Sequence, residues 1–139
     1  MNVDIVFSAN NFEEVMRIPV IPQELNIEEP WNNEEFETIG QGTLNLIGLK
    51  GLRSLSIESF FPTREYIFAR DKRNGWDYVE FFRKWRSKRV PLRVIITDNQ
   101  DREILNMPCT IDNFVYGIDR TGDITYSLAV KEFVFVKVT

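Results

Sequence analysis

The sequence predicts a mainly β domain of the α+β class, an antiparallel sheet curled into a sandwich or barrel with one long helix (about 75–88) packed on it. Tyr78, Phe81, Phe82 and Trp85 stand at i, i+3, i+4 and i+7, four large rings in one stripe of about 100°, which marks a helix laid on a core. Phe114, Tyr116 and Ile118 alternate with smaller or polar residues, a DRTGD turn follows, and Ile124, Tyr126, Leu128 and Val130 alternate again, giving the strongest hairpin of the chain. Glycines at 40, 42, 48 and 51 punctuate the short alternating runs Leu44/Leu46 and Leu52/Leu55/Ile57, again the composition of hairpins.

Taken in order, VDIVFSA reads as a short strand, and EVMRIPVIPQELNI as two extended pieces with Pro19 and Pro22 between them. Proline cannot donate to a central ladder, so an edge or a rigid crossing segment is expected there. Residues 28–38 are expected to form a polar, acidic loop, with Trp31 pinned against its own domain more readily than offered to a partner. Residues 39–61 are expected to form a glycine-rich β-hairpin region, its buried face carried by Leu55, Ile57 and Phe60. A loop, FFPTREYIFARDKR, leads to the helix. Asn74 can cap that helix, Asp77 lies in its first turn, and Arg83, Lys84, Arg86 and Lys88 crowd its last turns, so the charges oppose the helix dipole at both ends. Pro91 stops it, and Val90 is expected to begin the strand that continues as LRVIIT. REILNMPCTIDNFVYGI follows after a DNQD turn, whose Asp and Asn need no ligand to explain them. The end, FVFVKVT, is expected to extend the sheet, with a bulge or bend near Lys131–Phe133.

At 139 residues and 43% hydrophobic content the chain fits one domain, residues 1–139, with one core. It has no apolar run near eighteen residues and no basic leader, so neither membrane insertion nor Sec export is expected, and synthesis in the cytoplasm is. Cys109 is the single cysteine and excludes an internal disulfide. The net charge of −4 is mild, but its signs are segregated: the first forty residues are acidic through Glu28, Glu29, Glu34, Glu35 and their neighbours, while Arg83–Arg93 is basic. Two solvated faces of a monomer would explain this, and so would head-to-tail contact between copies that closes into a ring. Nucleic acid is not expected, because the basic run lies on a short helix of an acidic protein with no accompanying binding motif.

The chemistry that is missing narrows the function. Without histidine there is no Ser-His-Asp or Cys-His machinery and no His-containing zinc site, and one cysteine makes no CxxC. Neither GxxxxGK[ST] nor GxGxxG opens a helix, so the glycines form no phosphate cradle. No pair of carboxylates is set on elements rigid enough for a glycosidase acid and base. The reading is of no enzyme, no cofactor and no metal. Eleven phenylalanines most simply fill the core, and the rings that fall off the buried faces are the candidates for contact between chains: Phe61, which precedes Pro62, and Trp76, nearly opposite the Tyr78–Trp85 stripe.

The order of IPVIPQELNI, FETIGQGTLNLIGLKGLRSLSIESFFP, WDYVEFFRKWRSKRVPLRVIITD and TIDNFVYGIDRTGDITYSLAVKEF resembles the N-terminal domain of the inner-baseplate, tail-tube-initiator proteins of PBSX-type contractile phage tails and phage-tail-like bacteriocins, over roughly residues 18–134. The resemblance implies a tail-tube-like fold and a structural subunit at the junction of tail tube, central hub and baseplate, a homo-oligomeric ring whose partners are those proteins. Six copies would match a tail's symmetry, although the sequence itself gives no count. Many of these relatives continue into a LysM module, whereas the sequence here ends at Thr139, so the tube-side or hub-side role is the one expected. The subunit interface would use Arg83, Lys84, Arg86 and Lys88 against Glu28, Glu29, Glu34 and Glu35, with Phe61 and Trp76. Two alternatives stand beside it: a polysaccharide or peptidoglycan module using Trp31, Trp76 or Phe61 as a platform, and a chaperone that leaves before the tail is complete.

Overall fold

The computed structural model describes residues 3–136; Met1, Asn2 and residues 137–139, where the expected last strand would end, lie outside the described residues. The elements are β1 (Asp4–Ala9), β2 (Glu14–Arg17), β3 (Asn26–Glu28), β4 (Glu34–Thr38), β5 (Gly42–Leu46), β6 (Ser54–Phe61), α1 (Gly75–Ser87), β7 (Leu92–Thr97), β8 (Glu103–Ile118) and β9 (Ile124–Glu132). Seven strands form one antiparallel sheet in the order β2-β1-β7-β8-β9-β6-β3, and β4 and β5 form a second sheet by themselves.

The two edges of the large sheet are consecutive in sequence, and residues 18–25 join them. The Ile18 N–H donates to the Ile5 carbonyl at 2.9 Å on one side, and the Ser59 hydroxyl of β6 donates to the Val20 carbonyl at 2.9 Å on the other. Pro19 and Pro22 remove the donors that would let this piece continue a ladder, so it crosses between the edges and draws them together. The expected crossing segment is present, and it gives the sheet its curl.

The inward face carries Ile5, Phe7 and Ala9 of β1, Leu92, Val94 and Ile96 of β7, and the alternating residues of β6, β8 and β9, all in one cluster with the helix. Helix α1 begins where Asn74 Oδ1 accepts the Trp76 N–H at 3.0 Å, and it buries Tyr78, Val79, Phe81, Phe82 and Trp85, the face that the periodicity assigns to the core. Each such side chain contributes about 1.5–3 kcal/mol by leaving water. The helix can start hard against the end of β6 because residue 75 is glycine: a Cβ there would lie 2.9 Å from the carbonyl oxygens of Phe61 and Pro62. It ends at Ser87 with Lys88 as its C-cap, and the left-handed backbone of Arg89 (φ 57°) then turns the chain two residues before Pro91. Val90 therefore belongs to the turn, and β7 begins at Leu92 instead.

Further expectations are corrected. Phe61 is fully buried and takes no part in any surface; Leu55, Ile57, Ser59 and Phe61 share one face of β6, so a strict period of two places Phe61 inside and Phe60 on the other side. Its ring stacks on Tyr126 at 3.9 Å and on Tyr78 at 5.0 Å, tying β6 to β9 and α1. The acidic loop of residues 28–38 contains a strand, β4, and residues 39–61 do not form one hairpin: β5 turns back onto β4, while β6 pairs with β9 and β3. Register shifts lie between Ile111 and Asn113 in the β8–β9 pair and between Ile96 and Thr97 in the β7–β8 pair, neither near Lys131–Phe133, and β9 ends at Glu132, so Phe133–Val136 do not extend the sheet.

Asp123 fastens the β8–β9 turn to the loop between β6 and α1. Its buried carboxylate accepts from the Thr63 N–H at 3.0 Å, the Thr63 hydroxyl at 3.1 Å and the Tyr66 hydroxyl. Burial pushes this carboxyl up, but the Thr63 N–H and the two hydroxyls outweigh burial and hold it below the usual Asp range. Glu132, which accepts from the Arg53 guanidinium at 3.0 Å and from its N–H at 3.0 Å, is likewise held low by those donors.

Phe61→Ala is expected to cost about 3–5 kcal/mol in denaturant unfolding, and a loss below about 1 kcal/mol would contradict a central core position. A carboxyl depressed on folding stabilises fully above its unfolded value and loses that contribution as pH falls through the folded one. The melting temperature should therefore fall as pH drops below about 4, and Asp123→Asn, already lacking that charge, should fall less steeply over the same range.

Candidate subunit interface

The β4–β5 ribbon forms an arm. Its register places Phe36 opposite Leu44 and Glu34 opposite Leu46 on one face, and Glu35 opposite Asn45 and Glu37 opposite Thr43 on the other. One face of the ribbon thus gathers Phe36, Leu44 and Leu46 beside Glu34 and the other is polar, yet Phe36 remains 44% exposed, Leu46 47%, and Ile39 at the tip fully exposed. A two-stranded ribbon standing alone is marginal in water, and an uncovered apolar face on it marks a contact surface.

The base of the arm is tightly built. Trp31 bridges to Lys50, the Asn32 N–H donates to the Leu49 carbonyl at 2.8 Å, and the Gly51 N–H donates to the Pro30 carbonyl at 2.8 Å. The Trp31 ring is 55% exposed while its indole N–H donates to the Gly48 carbonyl at 2.8 Å, so the residue is pinned to its own chain as expected. Gly48 is required: a Cβ there would stand 1.7 Å from the Asn32 carbonyl oxygen.

The other sequence-predicted site residues are dispersed. Glu34 and Glu35 ride on the arm, whereas Glu28 lies on β3, where the Ser54 hydroxyl approaches it at 3.4 Å, with Glu29 just beyond the strand. The basic run is partly occupied within the chain. Lys84 pairs with Glu14 at 2.6 Å, a contact that together with the Trp85 indole N–H holds the Glu14 carboxyl below its usual range; Arg83 pairs with Glu80 at 3.1 Å. Lys84 and Lys88 both lie over the Trp85 ring. Arg86 and Arg89 form no ion pair among the described residues and remain exposed. Trp76 lies half-exposed with its ring edge-on to Tyr116 at 6.4 Å. With Phe61 buried, Trp76 on Tyr116 and Trp31 at the arm base, the three rings do not come together as one aromatic platform.

The sequence carries Phe36, Leu44 and Leu46 in alternation, but three glutamates and three glycines around them read as loop; pairing alone brings the apolar residues to one face. A different backbone signal lies at the β1–β2 turn, where Asn10, Asn11 and Phe12 are all left-handed (φ 52°, 55° and 63°), and Phe12 projects 59% exposed. A bulky residue in that conformation costs about 1–3 kcal/mol, a cost that clusters at functional surfaces. No composition rule identifies it.

No family model matches the sequence. An uncharacterized protein, YqbP of Bacillus subtilis (strain 168), is 26% identical over 131 residues, which cover 91% of this chain; the chain spans 58% of the length of this curated relative. Among solved structures, a chain from the tail of the empty gene transfer agent particle, determined with C6 symmetry, superposes with a TM-score of 0.63 at 15% identity, covering 98% of this chain and 95% of that one. A chain from the virion of the native gene transfer agent gives 0.61 at 16% identity, with coverage of 95% and 92%. A chain from the baseplate of the anti-feeding prophage, 6-fold symmetrised, gives 0.55 at 9% identity, with coverage of 96% and 89%. At these identities the likeness establishes a shared fold over nearly the whole length.

Gly48→Ala should unlatch the arm from its base. Hydrogen exchange of the amides in Glu34–Leu46 is expected to accelerate at least tenfold while the unfolding midpoint of the core stays within a few degrees; unchanged protection of the arm would show that its base does not hold it.

Proposed function

We propose that this chain is a non-enzymatic structural subunit of a contractile phage tail or tail-like particle, placed where the tail tube meets the baseplate hub and assembled with copies of itself into a ring. The observation that carries this reading is the arm: a two-stranded ribbon whose apolar face, with Phe36 and Leu46, finds no cover on its own domain. An element of that kind becomes stable by lying on another chain. The fold shared with chains of the gene transfer agent tail and the anti-feeding prophage baseplate supports a role in such a particle, and their sixfold symmetry favours six copies. Tube, hub and surrounding baseplate proteins are the further partners of this reading, with the chain made in the cytoplasm and carried into the particle.

The arm also fits the thermodynamics of a ring. A heterologous contact uses two different patches, so each copy offers an arm and receives one, and the assembly stops when the circle closes. Catalysis has no part in it.

Sedimentation velocity over a range of concentrations tests the reading. The wild-type chain is expected to form a discrete closed species whose population grows with concentration, and Phe36→Ser with Leu46→Ser is expected to leave a folded monomer. A wild-type chain that stays monomeric throughout, alone and with purified tail components, would overturn it.

A further inference from the structure

At the C-terminal end of α1 the chain leaves an open groove. Arg86, Arg89, Val90, Pro91, Ile111 and Phe133 bound a cavity of about 310 Å³ there. A second cavity of about 310 Å³ continues from it across the same residues, Val90–Leu92, to Arg93, Phe12 and Phe135. The two form one trough with an apolar floor and three arginines along it, and none of the residues lining either cavity is a carboxylate. Phe12 stands at its far end on the left-handed turn, and Phe133 and Phe135 contact each other edge-on at 5.0 Å along its side. Here too a strand edge opens: β7 pairs with β8 only as far as Cys109, so Thr110–Ile118 of β8 have no partner on that side among the described residues.

The arm is the chemical complement of this trough. Between Pro30 and Leu49 the chain carries three glutamates and no lysine or arginine, together with Phe36, Ile39, Leu44 and Leu46. We infer that the arm of one copy seats in the arginine-rimmed groove at Val90–Leu92 of a second copy. The inference rests on the reading of this chain as a self-assembling subunit and specifies the surface that receives the arm.

Three observations carry it. Charge and apolar character match on both sides: Phe36, Leu44 and Leu46 share one face of the ribbon with Glu34, which meets the arginines when that face seats on the groove, while Glu35 and Glu37 on the other face keep the arm as a whole acidic toward Arg86, Arg89 and Arg93. The arm does not fill its own groove, since no residue of Pro30–Leu49 lines it and Phe36, Ile39 and Leu46 of the arm stay exposed. Finally, arm and groove lie at the same level of the sheet. Glu28, just before the arm, pairs with Ser54, Ser54 with Lys131, and Lys131 with Thr110, while the adjacent row runs from Glu132 through Cys109 to Leu92 in the groove. From Trp31 to the tip at Ile39 the arm reaches roughly 27 Å at a strand's rise per residue, more than the radius of gyration of roughly 14 Å expected for a domain of this length. An arm of that length reaches beyond its own domain, and a groove at the same level of a second copy would receive it in a flat ring.

Charge reversal and mixing test the assignment. Arg86→Glu with Arg89→Glu on the groove, and Glu34→Arg, Glu35→Arg and Glu37→Arg on the arm, are each expected to weaken self-association on the order of tenfold or more, and an equimolar mixture of the two variants should recover association. Thermal melts establish that each variant is folded. As a readout needing no variant, hydrogen exchange of the wild type should slow at Glu34–Leu46 and at Val90–Leu92 together as concentration rises. If the wild type associates but the groove variant associates equally well, or only the arm gains protection, the groove assignment is wrong and the ring reading stands. A wild type that never associates overturns both.

Discussion

The stack of Phe61 on Tyr126 and Tyr78 is the contact on which the rest of the structure depends. It joins the last residue of β6, the start of β9 and the first turn of α1, and Gly75 lets the helix approach closely enough to make it. Once the helix start is fixed there, thirteen residues of α1 carry Arg86, and the turn that follows carries Arg89, to a defined height beside β7. The groove at Val90–Leu92 is lined by Arg86 and Arg89 at the opposite end of the helix from that stack. Core packing and surface geometry are thus one problem, since interiors at crystal-like density transmit position from one end of an element to the other.

Closing the sheet imposes a second condition. Ile18–Leu25 spans the two edges by single side-chain and backbone contacts instead of a ladder, because Pro19 and Pro22 have no N–H to give. A proline-bearing closure resists pairing with other strands, so the large sheet exposes little edge there for unwanted association. The open edge that remains, Thr110–Ile118 on β8, begins beside the groove.

Periodicity read the helix well, because Tyr78, Phe81, Phe82 and Trp85 carry a large apolar signal at one spacing, and Asn74 caps it as its side chain suggests. The β8–β9 hairpin was legible for the same reason: Ile124, Tyr126, Leu128 and Val130 alternate without interruption and are all buried. Phe61 was misread because two adjacent phenylalanines leave the phase of a strand open, and only counting back to Leu55 and Ile57 resolves it. The arm was hidden by composition, with Glu34, Glu35 and Glu37 among glycines reading as solvated loop, although which residues share a face is set by pairing partners distant in sequence. The basic run was visible as charge, but the split between Lys84, spent on Glu14, and Arg86, left open beside the groove, requires the packing of β2 against the helix. Phe12 gave no signal at all, since backbone handedness at a non-glycine residue is decided by tertiary context.

An arm left uncovered in the single chain should be covered by a second copy on assembly. Cryo-electron microscopy of the chain at assembling concentrations should then show closed rings in which density for Glu34–Leu46 runs from each copy onto its neighbour beside Pro91. Rings in which that segment projects freely into solvent, with other surfaces making every contact between copies, would contradict it.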